Sequence, residues 1–251
     1  MPIFSWRVKR QLSYFSIFAL VVILIVGGII WFFWPSATCF DNRQNQDEEG
    51  VDCGGVCGKK CLGQVEDVRV IWTRFFEVEK GFYNAAALID NPNIFAGTGD
   101  FVYRFKLHDK DNILIAIREG RTFINPQERF VVFESRMRTL ARIPYHASIE
   151  IDPISWERRE GQKSDIVSFG YKLIREPFGR LAATLRNNDI FDVQNIEVVA
   201  ILMDASENAI AVSRTIVESI ADESEKEIGF TWPFLIAEEP AAIQLYIRKI
   251  P

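Results

Sequence analysis

A chain of 251 residues that is 48% hydrophobic, 25% charged and 13% aromatic has globular composition, with room for two small domains. The net charge of −5 leaves no basic excess to neutralise phosphates, which argues against a nucleic-acid partner. Two histidines in the whole chain leave little for acid–base or histidine–metal chemistry.

Tyr14 to Trp34 is a run of 21 residues without a charge. As a helix at ~1.5 Å per residue it crosses the ~30 Å hydrocarbon core of a bilayer. Tyr14, Phe15 and Phe18 at one end, and Trp31, Phe32, Phe33 and Trp34 at the other, suit headgroup depth, and Pro35 stops the helix. A cleaved signal peptide is the rival, but its apolar region is shorter and ends in a small-residue site rather than Trp-Phe-Phe-Trp-Pro. Arg7, Lys9 and Arg10 precede the run, and no acid occurs before Asp41. Positive residues stay inside, so residues 1–13 are expected in the cytoplasm, 14–34 in the membrane, and the remainder outside.

All four cysteines, Cys39, Cys53, Cys57 and Cys61, lie in a module spanning 38–61. An even cluster on the oxidising side of a membrane reads as two disulfides, with three pairings open. A zinc site is the alternative, but its usual C-x2-C pairs are missing. The same stretch holds Asp41, Asn45, Asp47, Glu48, Glu49 and Asp52, with Gly50, Gly54 and Gly55 for turns. Such a set of hard oxygens suits calcium, and Asp41, Asn45, Glu48 and Asp52 are the candidate ligands. The competing reading is a solvated acidic loop stapled by disulfides. The order of residues is not that of an EF-hand.

This stretch resembles a short motif of secreted and surface-anchored bacterial proteins, C-x-D-G-x-x-N-G-x-E-x-x-x-D-C-G-G-x-C. Cys39, Asp41, Asn45, Glu48, Asp52, Cys53, Gly54, Gly55 and Cys57 fit it, while Asn42 and Gln46 stand where the motif has glycine. The resemblance implies an extracellular module near an anchor and no reaction.

After Cys61 the pattern turns to β throughout. Apolar runs rich in Val, Ile and Phe, bounded by Asn, Asp, Gly and Pro, predict strands at 68–78, 83–89, 100–107, 113–123, 129–137 and 146–151. A second set is expected at 166–174, 180–185, 195–203, 209–217, 226–232 and 242–248. Shifted by 96 residues, Ala86-Ala87 falls on Ala182-Ala183, Asn91 on Asn187, Ile94-Phe95 on Ile190-Phe191, Asn112 on Asn208 and Pro144 on Pro240. So many coincidences at one offset argue for duplication. Each copy has the size and strand count of an immunoglobulin-like β-sandwich. The expected class is therefore all-β, with repeats at 65–152 and 166–251 and a charged linker at 153–165.

Phe105-Lys106-Leu107-His108-Asp109 resembles the signature of FxLYD-type domains, with His108 in the tyrosine place. Ala200 to Asp204 resembles it more loosely, and Asp90-Asn91-Pro92-Asn93 and Arg186-Asn187-Asn188 resemble that family's N-x-N turn. The resemblance implies sandwiches on cell-envelope proteins, with no established chemistry.

No Gly-rich phosphate loop, G-x-S-x-G elbow or H-E-x-x-H helix is present. His108 and His146 read as strand-end residues, the pairs Glu238-Glu239 and Asp222-Glu223 as loops, and Trp232 as packing. No enzyme is expected. The first function class is a membrane-anchored extracytoplasmic protein that binds an envelope protein or a polymer. The second is a structural subunit or spacer of a larger envelope complex.

Overall fold

The computed structural model describes residues 6–33, 38–57, 61, 63, 65–159 and 165–250. Trp34 and Pro35, at the expected end of the span, and positions 160–164 of the expected linker lie outside the described residues. The chain divides into two compact units, Met1–Lys59 and Lys60–Pro251.

The first unit opens with helix α1, Trp6–Phe33. Its stretch Arg10–Ile29 is long and apolar enough to cross a membrane, a property that an N-terminal signal sequence shares. A 3₁₀ turn at Gly55–Cys57 follows in the cysteine module.

The second unit is antiparallel β-structure. Its strands are β1 (Arg69–Glu79), β2 (Phe82–Asp90), β3 (Ala96–His108), β4 (Leu114–Ile124), β5 (Arg129–Arg138) and β6 (His146–Ile151). After the two-residue β7 (Glu157–Arg158) come β8 (Ile166–Ile174), β9 (Gly179–Asn187), β10 (Val193–Met203), β11 (Ala209–Ile220), β12 (Glu225–Trp232) and β13 (Ala242–Lys249). All twelve expected strands form. The expected linker holds the extra strand β7, which pairs with Ala96–Gly97 at the start of β3.

The two copies share one topology. The first has sheets β1-β2-β5 and β4-β3-β6, and the second has β8-β9-β12 and β11-β10-β13. In the first, Ala85, Ala87 and Ile89 of β2 face Phe101, Tyr103, Phe105 and Leu107 of β3 across one core. In the second, Leu181, Ala183 and Leu185 of β9 face Ile196, Val198, Ala200 and Leu202 of β10, with Trp232 buried beside them. Each repeat is thus a two-layer sandwich closed by alternation along its strands.

Equivalent turns carry equivalent polar locks. The buried side-chain amide of Asn91 donates to the carbonyls of Ala96 and Asn125, and that of Asn187 donates to Phe191 and Ala221. Asp109 caps the β3–β4 hairpin through the amides of Asp111 and Ile113, and Asp204 caps β10–β11 through Ser206 and Asn208. Between Asn187 and Phe191 the second copy is one residue shorter. In the hairpins, therefore, Asn112 (φ 59°) matches Glu207 (φ 60°), not Asn208.

The repeats meet through an apolar layer outside both cores. Phe76, Ala86, Leu88, Val131 and Phe133, on the outer face of β1-β2-β5, pack with Val199, Ile201, Met203, Ala209 and Val212 on the outer face of β11-β10-β13. Arg248 of β13 is 1% exposed at this junction. Its guanidinium donates to the Phe123 carbonyl at 2.6 Å, to both oxygens of Glu128 at 3.3 and 3.2 Å, and to Glu197 at 3.4 Å. Its Cζ lies 3.9 Å from the Phe123 ring centre and 4.4 Å from that of Phe130.

Removing one partner of a buried ion pair leaves uncompensated charge. Arg248→Ala is therefore expected to cost about 3–5 kcal/mol in urea unfolding of the full chain. Arg214→Ala removes a half-exposed partner of the same Glu197 and is expected to cost about 1 kcal/mol or less.

Candidate functional site

Among the described residues of the cysteine module none belongs to a hydrophobic core cluster, and the links between them are covalent and polar. Cys39 and Cys57 form a disulfide, Cys53 and Cys61 are also disulfide-bonded, and no cysteine is free. Asn42 (φ 57°) and Gln46 (φ 50°) adopt the left-handed conformation that the motif's glycines would supply. Glycine is required at Gly55, where a Cβ would sit 2.0 Å from the Asp47 carbonyl oxygen.

Hydrogen bonds link the four candidate calcium ligands within the module, and the carboxylates of Asp41, Glu48 and Asp52 cap backbone amides; among the described residues, the donor atoms close enough to share an ion are those of Cys39, Glu48 and Cys57, without Asp41 or Asp52. Asp52 accepts from the amides of Asp41 and Asn42 at 3.0 and 2.9 Å. Glu48, 6% exposed, accepts from Asn45 and Asp52 at 3.1 and 3.2 Å. Asp41 accepts from the Asn45 side chain, the largest influence holding its carboxyl below the usual range, and from the amides of Thr38 and Arg43. Glu48 Oε1 also lies 2.8 Å from Cys57 Sγ. A disulfide sulfur carries no proton and offers no thiolate, so Cys39, Glu48 and Cys57, though clustered, provide only one metal-ligating group. Asp47 and Glu49 are exposed at the rim.

The second unit places a groove of about 730 Å³ where the two sandwiches adjoin. Residues Trp72 to Glu77 of β1 form one wall, with Tyr145, His146 and Ala147 at the start of β6. Ala209 and Ile210 of β11, and Phe234, form the other. β1, β6 and β11 are all edge strands of their sheets. Arg74 is held at the groove by Asn208, which accepts its guanidinium at 2.6 Å, and Asn208 is itself held by Asp204. Tyr145 is 74% exposed. His146 stacks on His108 across the β3–β6 pair, ring centres 4.7 Å apart, and among the described residues His108 Nδ1 is buried without a hydrogen-bond partner.

The other residues singled out in the sequence take structural places. Phe105 and Leu107 are buried in the first core and Trp232 in the second, while Trp156 packs against the first. Glu238, Glu239, Asp222 and Glu223 are exposed in loops. The groove was not legible beforehand, because edge status and the approach of Phe234 to β1 depend on sheet order and on the packing of one repeat against the other. The one local signal was the density of aromatics at Trp72, Phe75 and Phe76.

No family model matches this chain, and no curated protein matches it either.

Two outcomes test these local networks. Asp52→Ala removes two amide acceptors in the cysteine module. At about 1 kcal/mol of lost order, reduction of the Cys39–Cys57 disulfide by a thiol is expected to run about fivefold faster. Millimolar calcium slowing that reduction in the unaltered chain is the readout for the candidate ligand set. In the hairpins, the amide of Ile113 for Asp109 and that of Asn208 for Asp204 are foremost in holding both carboxyls below their usual range. Their stabilisation is therefore complete above the unfolded value of about 3.9 and lost as pH falls through the lower folded values. Asp109→Ala and Asp204→Ala are expected to destabilise at pH 7, with the difference from the unaltered chain shrinking below pH ~4.

Proposed function

We propose that this chain is a membrane-anchored extracytoplasmic protein of non-enzymatic type, whose paired β-sandwiches bind another envelope protein or a polymer. The observation that carries this reading is a disulfide-bonded module following directly on an apolar N-terminal helix. Disulfides persist on the oxidising side of a membrane. The flanking charge points the same way, with Arg7, Lys9 and Arg10 before the apolar run and every acid after it. On this reading, residues 14–34 anchor the chain in the bilayer, the cysteine module stands next to the anchor, and the sandwiches are of immunoglobulin-like, FxLYD-like kind. The lack of a catalytic motif in the sequence supports binding over catalysis.

The buried junction at Arg248 favours one further element, a spacer role, because two sandwiches locked together transmit position as one body. Binding and spacing are compatible in a single envelope protein. Protease added to intact cells is expected to digest the β-region and spare a membrane-protected N-terminal fragment. Digestion only after permeabilisation overturns the orientation. Release of the β-region by a carbonate wash, with loss of the N-terminal helix, overturns the anchor in favour of a cleaved signal.

A further inference from the structure

We propose that the open edge of β1, between Trp72 and Glu77, receives an extended peptide of a partner protein by β-strand addition. The proposal rests on the binding reading above and supplies its site and the chemistry of its partner.

An edge strand directs the N–H and C=O groups of alternate residues away from its sheet. β1 is such an edge, 11 residues long, and among the described residues no backbone bond outside its pairing with β2 engages Trp72 to Glu77. Register shifts between Val70 and Trp72 and between Glu77 and Glu79 bound this run. A regular ladder of six residues, ~20 Å long, is left between them. The matching edge in the second repeat, β8, is treated differently. A register shift between Phe169 and Lys172, with Gly170 at φ 68°, breaks it in the middle. Bulges of this kind blunt an edge against pairing. The second repeat thus has its edge interrupted in the middle, and the first keeps six regularly paired residues, between two register shifts, along one wall of the groove.

The walls specify the occupant. Trp72, Phe75, Tyr145 and Phe234, each at least partly exposed, offer aromatic surface to side chains that alternate along a strand. Arg74 is engaged by Asn208, whereas Glu77 lies exposed at one end of the run. The partner is therefore an extended segment with apolar residues at alternate positions and a lysine or arginine at the end that meets Glu77. Main-chain bonds supply affinity and the aromatic walls supply selectivity. A glycan has no peptide backbone whose N–H and C=O groups repeat at the strand spacing.

The test uses the full chain in lipid nanodiscs and amide hydrogen exchange read by mass spectrometry. The probe is a synthetic peptide of alternating valine and threonine with lysine at both ends. Exchange over Trp72–Glu77 is expected to slow about tenfold, one decade in the opening equilibrium, while β8 is unaffected. The same peptide N-methylated at alternate residues keeps the side chains but loses the donors, and is expected to give no protection. Tyr145→Ser, at an exposed position, is expected to weaken protection by the first peptide. Equal protection by both peptides overturns strand addition in favour of apolar contact alone. Protection by a chitin hexamer but by neither peptide assigns the groove to a glycan and overturns the proposal. Protection that needs no peptide and rises with protein concentration assigns it to a second copy, with the same result. These readouts do not depend on which side of the membrane the β-region occupies, so failure here is distinguishable from failure of the anchoring experiment.

Discussion

The junction around Arg248 is the constraint on which the arrangement of the β-region depends. A guanidinium that is 1% exposed requires all its donors matched, and here the matches come from both repeats: Glu197 from its own, Glu128 and the Phe123 carbonyl from the other. Burial of such a group is weak evidence of net stability, but it penalises any packing that leaves the charge unmatched. The apolar layer supplies attraction without direction, and the arginine gives that layer its register.

The contact is heterologous: the first sheet of one repeat meets the second sheet of the other. Such contacts extend indefinitely unless the remaining faces differ. They do differ. On the outer face of β10, Val199 sits between Arg214 and Tyr246, and Ile201 beside Val212. At the matching places in the first repeat, Arg104 sits between Glu119 and Glu150, with a two-bond link to Asp152, and Lys106 stands for Ile201. On the first sheet, Leu88 beside Val131 is matched in the second repeat by Thr184 beside Glu227. The two sandwiches share one topology, and the differences between their outer-face residues confine the apolar contact to one pair of faces.

The cysteine module solves a different problem with different means. A segment this short cannot bury enough apolar surface to offset its ordering entropy. Disulfides restrict the unfolded chain, and carboxylates of Asp41, Glu48 and Asp52 take up amides that would otherwise be left to water. Acid-rich composition there has a structural use whatever ion it meets. The same economy of side chain for backbone recurs at Asp109 and Asp204 in the hairpins, and at Asn91 and Asn187 in the buried turns.

Local pattern was enough for the helix and the twelve principal strands, because each depends on residues close in the chain. Even the second face of β10 left a trace: Val198 to Met203 is an unbroken apolar run, as expected of a strand covered on both sides. What covers that second side was decided only by tertiary structure, as were the burial of Arg248, the turning of the module's carboxylates onto amides, and the open edge of β1 along a groove. The same holds for the one-residue slip that sets Asn112 against Glu207. Alternation assigns a side chain to one face of a strand. It carries no record of which sheet, edge or repeat will lie opposite, since those neighbours are distant in sequence and are selected by the packing of whole faces.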